Sequence, residues 1–317
     1  MKFATIGHLL ERKDVELIPK AWIKNNLAIS PEMDVYGTKG YITGLMLTAS
    51  EMISFPRETV RQRILDAAVY LQDVYSVDII QLGALTTSVT DGGKWVVEQK
   101  QYKGFTNHGD SYTASVTCQA VQKALSFFKK EPSESVLAIV GAYGVIGEAV
   151  SRILVPQFKH SILIGRTQEK FKKLEKQLEG NYETLIDLRT KEADIIVTAT
   201  SHPTALLNSS NLSKNTIVVD VSQPPNLSYD ICLKRPDVYR VDGGFVDFPV
   251  TTPFVVPGVP PGKNFACVVE VIMQAIENEK RNHVGSIDLK HLRKTEKWAE
   301  KYGFTLKELT NYGKKIG

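Results

Sequence analysis

The chain has little cysteine: three residues, Cys118, Cys232 and Cys267, far apart and in no CxxC pair. That excludes a disulfide framework and a cysteine-rich metal site, and sets a reducing cytoplasm as the expected compartment. It has no long apolar run. The most apolar stretch, Gly244 to Pro261, is broken by Pro249, Pro253, Pro257, Pro260 and Pro261, so no membrane span is expected. The N-terminal residues lack the apolar core and small-residue cleavage site of a secretory signal. There is no internal repeat and no low-complexity tract. Excess charge is also missing: a net +4 over 317 residues makes no case for nucleic acid.

What is present is enough for two ordinary cores: 43% hydrophobic and 23% charged residues in a chain of two-domain length. Arg57 to Tyr75 reads as a helix, with Val60, Ile64, Ala67, Ala68 and Leu71 at helical spacing. Val77 to Leu82 reads as a buried strand, and Ser111 to Phe128 as a second helix with Cys118 on its apolar stripe. A polar break with a proline, residues 129–135, is where a domain boundary is expected. Beyond it strands and helices alternate. The strands VLAIV from Val136, SILI from Ser161, DIIVTA from Asp194 and TIVVDV from Thr216 suit a parallel sheet buried on both faces. A basic helix is expected at 168–178 and an amphipathic one from Asn264 to Glu279. The expected fold is α/β in two domains: an N-terminal substrate domain (1–131) and a Rossmann-like doubly wound parallel sheet (132–262). C-terminal helices (263–317) are expected to return to the first domain.

The clearest motif is GAYGVIG, Gly141 through Gly144 to Gly147, set between a strand and a helix. Its glycines allow a tight turn and close backbone approach to a pyrophosphate, and the helix start offers free N–H groups. Tyr143, Val145 and Ile146 line the same turn. The next strand ends in Gly165, Arg166 and Thr167, with no carboxylate to grip a ribose 2′-hydroxyl; an arginine and a hydroxyl suit a 2′-phosphate, so NADP is the expected cofactor. Thr200, Ser201, Val221, Gly243 and Gly244 lie at later strand ends, where such sheets bind ligands.

Cys267 is expected in the first turn of the last amphipathic helix, after Asn264 as N-cap. There the helix dipole would lower the thiol pKa. Its helical phase sets it roughly 200° from Phe265, off the apolar stripe of Val268, Val269, Ile272 and Ile276. Core filling is the other reading of this cysteine.

Several segments together resemble the long-chain acyl-(acyl-carrier-protein) reductases, which form fatty aldehydes from acyl thioesters. They are IGHL from Ile6, DIIQLG from Asp78, FTNHGDSYTA from Phe105, VGAYGVIG from Val140, ADIIV from Ala193, Val219–Asp220, DGGFV from Asp242 and NFACVVE from Asn264. The resemblance implies that Cys267 takes the acyl group from acyl-carrier protein or acyl-CoA, and that NADPH reduces the resulting thioester. Tyr112 and Ala84 depart from that pattern, in the substrate half. His8 is a candidate to orient or protonate near Cys267, against a structural histidine. Gly83, Asp110, Ser111 and Tyr112 are candidates around the thioester, the last two as donors to its oxygen, against helix capping. Lys263 could lower the thiol pKa, and Glu270, one turn on, would raise it unless paired with a cation. A carrier protein could dock on Arg57, Arg61 and Arg63 with Lys290, Arg293, Lys294 and Lys297, against a merely solvated face. The proline-rich stretch 245–261, with Phe248, Phe254, Val255 and Val256, reads as an acyl tunnel or as a packed loop. No metal is expected, and a homo-oligomer is left open. Two other functions compete: a shikimate-dehydrogenase-like enzyme acting on a small polar substrate, and a non-catalytic NADP-binding sensor.

Overall fold

A computed structural model describes residues 1–9, 11–256 and 258–316; Leu10, Gly317 and Pro257 (one of the prolines that break the apolar stretch) lie outside them. The chain packs into two units. One holds Met1–Tyr112, Asp247–Ser286 and Lys294–Thr305; the other holds Thr113–Val246, Ile287–Arg293 and Leu306–Gly317.

The first unit is built on one mixed sheet. Its strands are β1 (Phe3–Leu9), β2 (Ile23–Lys24), β3 (Leu27–Ile29), β4 (Met33–Val35), β5 (Thr38–Tyr41), β6 (Thr43–Thr48), β7 (Ile79–Leu82) and β8 (Phe105–Asn107). β1 is the axis, parallel to β5, β6 and β7, and β7 is parallel to β8. Gly40 is required for this pairing: a Cβ there would lie 2.5 Å from the Phe3 ring. Helices α1 (Ala49–Ser54), α2 (Arg57–Tyr75), α3 (Leu85–Val89) and α4 (Lys94–Val97) follow the edges. α2 covers the expected residues. Val60, Ile64, Ala67, Ala68 and Leu71 enter one core with Ala4, Ile6, Leu45, Ile80 and Leu82. The helix stops where Ser76 turns left-handed, at φ 54°.

Helix α5 (Asp110–Phe127) begins in the first unit and continues into the second. The second unit carries β9 (Val136–Val140), α6 (Val145–Leu154), β10 (His160–Ile164), α7 (Phe171–Glu175), β11 (Tyr182–Leu185), β12 (Ile195–Thr198), β13 (Ile217–Asp220), α8 (Tyr229–Lys234) and β14 (Tyr239–Asp242). The strand order is β11-β10-β9-β12-β13-β14, all parallel, which is the doubly wound Rossmann arrangement. The expected basic helix begins as a 3-10 turn, Gln168–Lys170, runs on as α7 and stops at Glu175, short of the expected Leu178; only Phe171 and Leu174 of it are buried. Between β13 and β14 a buried ion network closes the sheet end. Arg240 donates to Asp220 at 3.2 Å and to Asp242 at 2.6 Å. Asp242 also accepts from the Thr310 hydroxyl (2.8 Å) and the Gly313 N–H (2.8 Å), which fixes the C-terminal segment.

The chain then forms β15 (Phe245–Asp247), β16 (Lys263–Phe265), α9 (Ala266–Ile276) and α10 (Leu289–Tyr302), with a last antiparallel pair, β17 (Thr310–Asn311) and β18 (Lys314–Lys315). α9 is buried on its polar side as well as its apolar one. Val268, Val269, Val271, Ile272 and Met273 are buried, and so are Glu270 and Gln274.

Candidate functional site

The second unit presents a dinucleotide turn at the point where its strand order reverses, between β9 and β12. Gly141 is at φ +90°, and a Cβ on it would run into the carbonyl oxygen of Ala199. A Cβ on Gly147 would run into the carbonyl of Gly141. The N–H groups of Gly141 and Ala142 both donate to the Ile164 carbonyl, at 2.8 and 3.1 Å, so the turn is tied to β10. α6 starts at Val145 with Gly144 as N-cap and no side-chain cap. Its first amides are thus available to a phosphate at the positive end of the helix.

At the tip of β10, the Tyr143 ring fills the space a side chain on Gly165 would need. The Tyr143 hydroxyl accepts the Thr167 N–H at 3.0 Å. Arg166 and Thr167 are exposed, and residues 165–168 include no carboxylate. Across the crevice the Thr200 N–H donates to the Ser222 hydroxyl oxygen at 3.0 Å, and the Thr200 hydroxyl donates to Asn226 at 2.7 Å. Gly243 sits where a Cβ would come within 3.1 Å of Val219 and Val221. Ser201 is exposed, and Val221 and Gly244 are half-buried. Sequence reasoning missed Asn226, which also accepts the Ser222 hydroxyl at 3.1 Å and so joins the ends of two strands. This glycine cradle, with an arginine and a hydroxyl at the second strand tip, fits NADP, and NADP is the cofactor of the unit.

The cysteine lies in the first unit. α9 begins with Phe265 as N-cap, not Asn264. Asn264 belongs to β16, and its side-chain oxygen accepts the Phe265 N–H at 2.8 Å. Cys267 is the second helical residue. Gly109, at φ +73°, lies flush against it: a Cβ there would be 2.5 Å from the Cys267 Cα, Cβ and O. The turn from β8 into α5 is held by polar side chains. Asn107 accepts the Gly109 N–H at 2.5 Å, and the His108 Nδ1 accepts the Asp110 N–H at 2.9 Å. α9 holds the same turn from its side. Glu270 accepts the Tyr112 N–H at 2.6 Å, and Gln274 accepts from the Asn107 amide at 2.6 Å. Cys267, Glu270 and Gln274 are spaced at i, i+3 and i+7, so they form one polar stripe of α9.

The electrostatics reverse the expectation of an acidified thiol. Burial, and then the carboxylates of Asp110 and Glu270, push Cys267 up to about 12. Two residues into a helix, the dipole does not offset that desolvation. Burial, and then Glu270, also raise Asp110 well above the usual carboxylate range. A thiol and a carboxyl that both resist ionisation stand together here. Lys263, the expected activator, is paired with Asp247.

The other candidates sit as follows. The His8 Nδ1 bonds the Leu9 carbonyl at 2.7 Å, and its Nε2 accepts the Leu85 N–H at 3.3 Å; burial lowers its pKa. Both ring nitrogens are therefore engaged by backbone. Tyr112 is 1% exposed and its hydroxyl donates to the Phe304 carbonyl, so its one hydroxyl proton is committed away from a thioester oxygen. Ser111 is buried in the first turn of α5. Gly83 lies beside the Gln81 amide, 3.3 Å from where its Cβ would be. Arg57 and Arg61 both pair with Asp91, at 2.5 Å, which removes two cations from the expected docking face. Phe248 stacks on Phe304 and Phe254 packs edge-on against Trp22, while Val255 is 76% exposed. Those rings pack a loop.

The family model for shikimate / quinate 5-dehydrogenase matches residues 122–243, which lie within the second unit. The chain is 25% identical to a long-chain acyl-[acyl-carrier-protein] reductase of Synechococcus elongatus over 73% of its length and 71% of the relative's. It is 25% identical to the aminotransferase PigE of a Serratia species, over 88% of this chain and 33% of that protein. It is 29% identical to a glutamyl-tRNA reductase of Caldivirga maquilingensis, over 33% of this chain and 26% of that protein. The chain thus spans about a third of the length of the Serratia relative. Among the described residues no helix is long and apolar enough to cross a membrane.

Proposed function

We propose that the protein is an NADPH-dependent oxidoreductase that reduces an acyl thioester, from acyl-carrier protein or acyl-CoA, to an aldehyde through an acyl group on Cys267. One observation carries this: Gly109 lies flush against Cys267, which brings the next residue, Asp110, to the thiol, in a place where burial and Glu270 raise its pKa. A raised carboxylate is the stronger base, and a thiol that does not ionise alone needs one. In this reading the ionised form of Asp110 takes the Cys267 proton as sulfur attacks the thioester carbonyl. The carbon–sulfur bond to the carrier then breaks, and Asp110 returns the proton to the departing carrier thiolate. Glu270 holds the first turn of α5, and with it Asp110, through the Tyr112 N–H. Gly109 brings that turn against the cysteine backbone. NADPH, when bound, would supply the hydride; release of the aldehyde then breaks the carbon–sulfur bond to Cys267, whose sulfur leaves as thiolate and takes up a proton. The resemblance to the Synechococcus relative supports the substrate class.

A small polar substrate is the second reading, and the match over residues 122–243 favours it. Octanoyl-CoA without NADPH, followed by intact mass, separates the two. An acyl adduct on the wild type that is absent from Cys267→Ser supports the thioester reading. No adduct across several chain lengths, with dehydrogenase activity kept by Cys267→Ala, refutes it.

A further inference from the structure

In the first unit a buried amide donor, on Gln81, is left unpaired within a parallel strand. Gln81 is 1% exposed on β7, and its Nε2 has no hydrogen-bond partner among the described residues. A buried amide donor left without an acceptor is costly to fold around, so such groups are rare unless they serve a ligand. Its position is specific. In parallel register Gln81 stands between Thr5 of β1 and Asn107 of β8, so the three side chains share one face of the sheet. That face carries α9, since Asn107 bonds Gln274.

The direction of α9 follows from three contacts. Its C-terminal end lies at the start of β1, where the N-terminal amine donates to the Ala275 carbonyl at 3.2 Å. Asn107, at the end of β8, meets Gln274. Gly109, two residues further, meets Cys267. The cysteine is therefore at the C-terminal edge of the parallel strands. The Gln81 amide reaches forward to that edge: a Cβ on Gly83 would be 3.3 Å from Nε2 and 3.8 Å from the Gly7 Cα. Two glycines thus leave room around this amide where β1 and β7 end.

We infer that the Gln81 side-chain amide is the hydrogen-bond donor for the carbonyl oxygen of an acyl group held at Cys267. This inference rests on the thioester reading. The donor is in place before substrate arrives and is buried, where a donor aimed at developing negative charge on oxygen is most effective. It also fills the role that Tyr112, bonded to Phe304, does not take.

The test is Gln81→Met, which keeps the length and removes the donor, with Gln81→Asn, which keeps the amide and draws it back by one methylene. Acylation by octanoyl-CoA is followed by intact mass over time, alongside the melting temperature and an NADPH titration. Gln81→Met is expected to melt at or above the wild-type temperature, to bind NADPH unchanged, and to acylate about 10²-fold more slowly. Gln81→Asn is expected to slow in the same direction, and it gives the reading if Gln81→Met does not fold. Acylation within about threefold of wild type in either folded variant overturns the assignment while leaving the thioester reading intact. No adduct on the wild type overturns both.

Discussion

Replacing Asp110 by asparagine should drive two reactions of Cys267 in opposite directions. Burial and the nearby carboxylates push this thiol up to about 12, from a usual value of 9.0. At neutral pH such a thiol is ionised in roughly one molecule in 10⁵, against roughly one in 10² for an unperturbed cysteine. Iodoacetamide, which needs only the thiolate, should thus alkylate Cys267 about 10³-fold more slowly than an unperturbed thiol. Asp110 is the first electrostatic cause after burial, and each pKa unit recovered by removing its charge gives about tenfold more thiolate. Asp110→Asn should therefore speed alkylation, most clearly toward higher pH, where more of the wild-type carboxyl is ionised. Acyl transfer should instead slow, by about 10²–10⁴-fold, because the base is gone. Both rates are read by intact mass on the same two proteins, with Cys267→Ser as the blank. If acylation is unchanged in Asp110→Asn, the carboxyl is not the base. If alkylation slows as well, the carboxylate does not raise the thiol pKa and the electrostatic account of the site is wrong.

Arg166→Ala should raise the KM for NADPH far more than that for NADH; equal effects would mean that this exposed arginine does not read the 2′-phosphate. Arg240→Met should cost about 3–5 kcal/mol in urea unfolding, because Asp220 and Asp242 remain buried without their cation; a loss under about 1 kcal/mol would show the network relaxing or hydrating. Burial lowers the pKa of His8 from 6.5. The unfolded chain therefore binds a proton near that pH while the folded chain does not, so this part of the stability is present above pH 6.5 and is lost as pH falls below it. His8→Gln should flatten that acid limb in a series of urea midpoints, and an unchanged slope would place the imidazole in solvent.

Most of the second unit was legible because its signals are local. A run such as VLAIV suits a strand buried on both faces, and its alternation with helices points to a parallel sheet. The glycines of GAYGVIG are required within seven residues of each other, so their spacing alone states the turn. The Arg57–Tyr75 helix was equally plain, since one stripe carries its whole buried face. The basic helix was over-read. Lysine and glutamate favour helix in any context, but nothing inward-facing after Leu174 holds this segment to the sheet. β11 went unseen because YETL alternates too weakly to mark a strand.

The cysteine site was half legible, and the missing half is long-range. Cys267 could be placed at a helix start from PPGKNFAC, but its acidity depends on what surrounds it, and the surroundings come from residues about 160 positions earlier. The period argument treated α9 as amphipathic, with Val268, Val269, Ile272 and Ile276 on the apolar stripe and Cys267 on the other face. In the fold that face is buried against the turn that begins α5, so the same polarity reads differently. Glu270 takes the Tyr112 amide and Gln274 takes the Asn107 amide. A buried helix with a polar stripe needs a partner with matching donors, and the start of another helix, with its unsatisfied N–H groups, supplies one. The consequence reaches the chemistry. The Glu270 carboxylate, which satisfies the Tyr112 amide, is also one of the charges that keeps Cys267 protonated, so the contact that aligns Asp110 with the thiol is also what makes a base necessary.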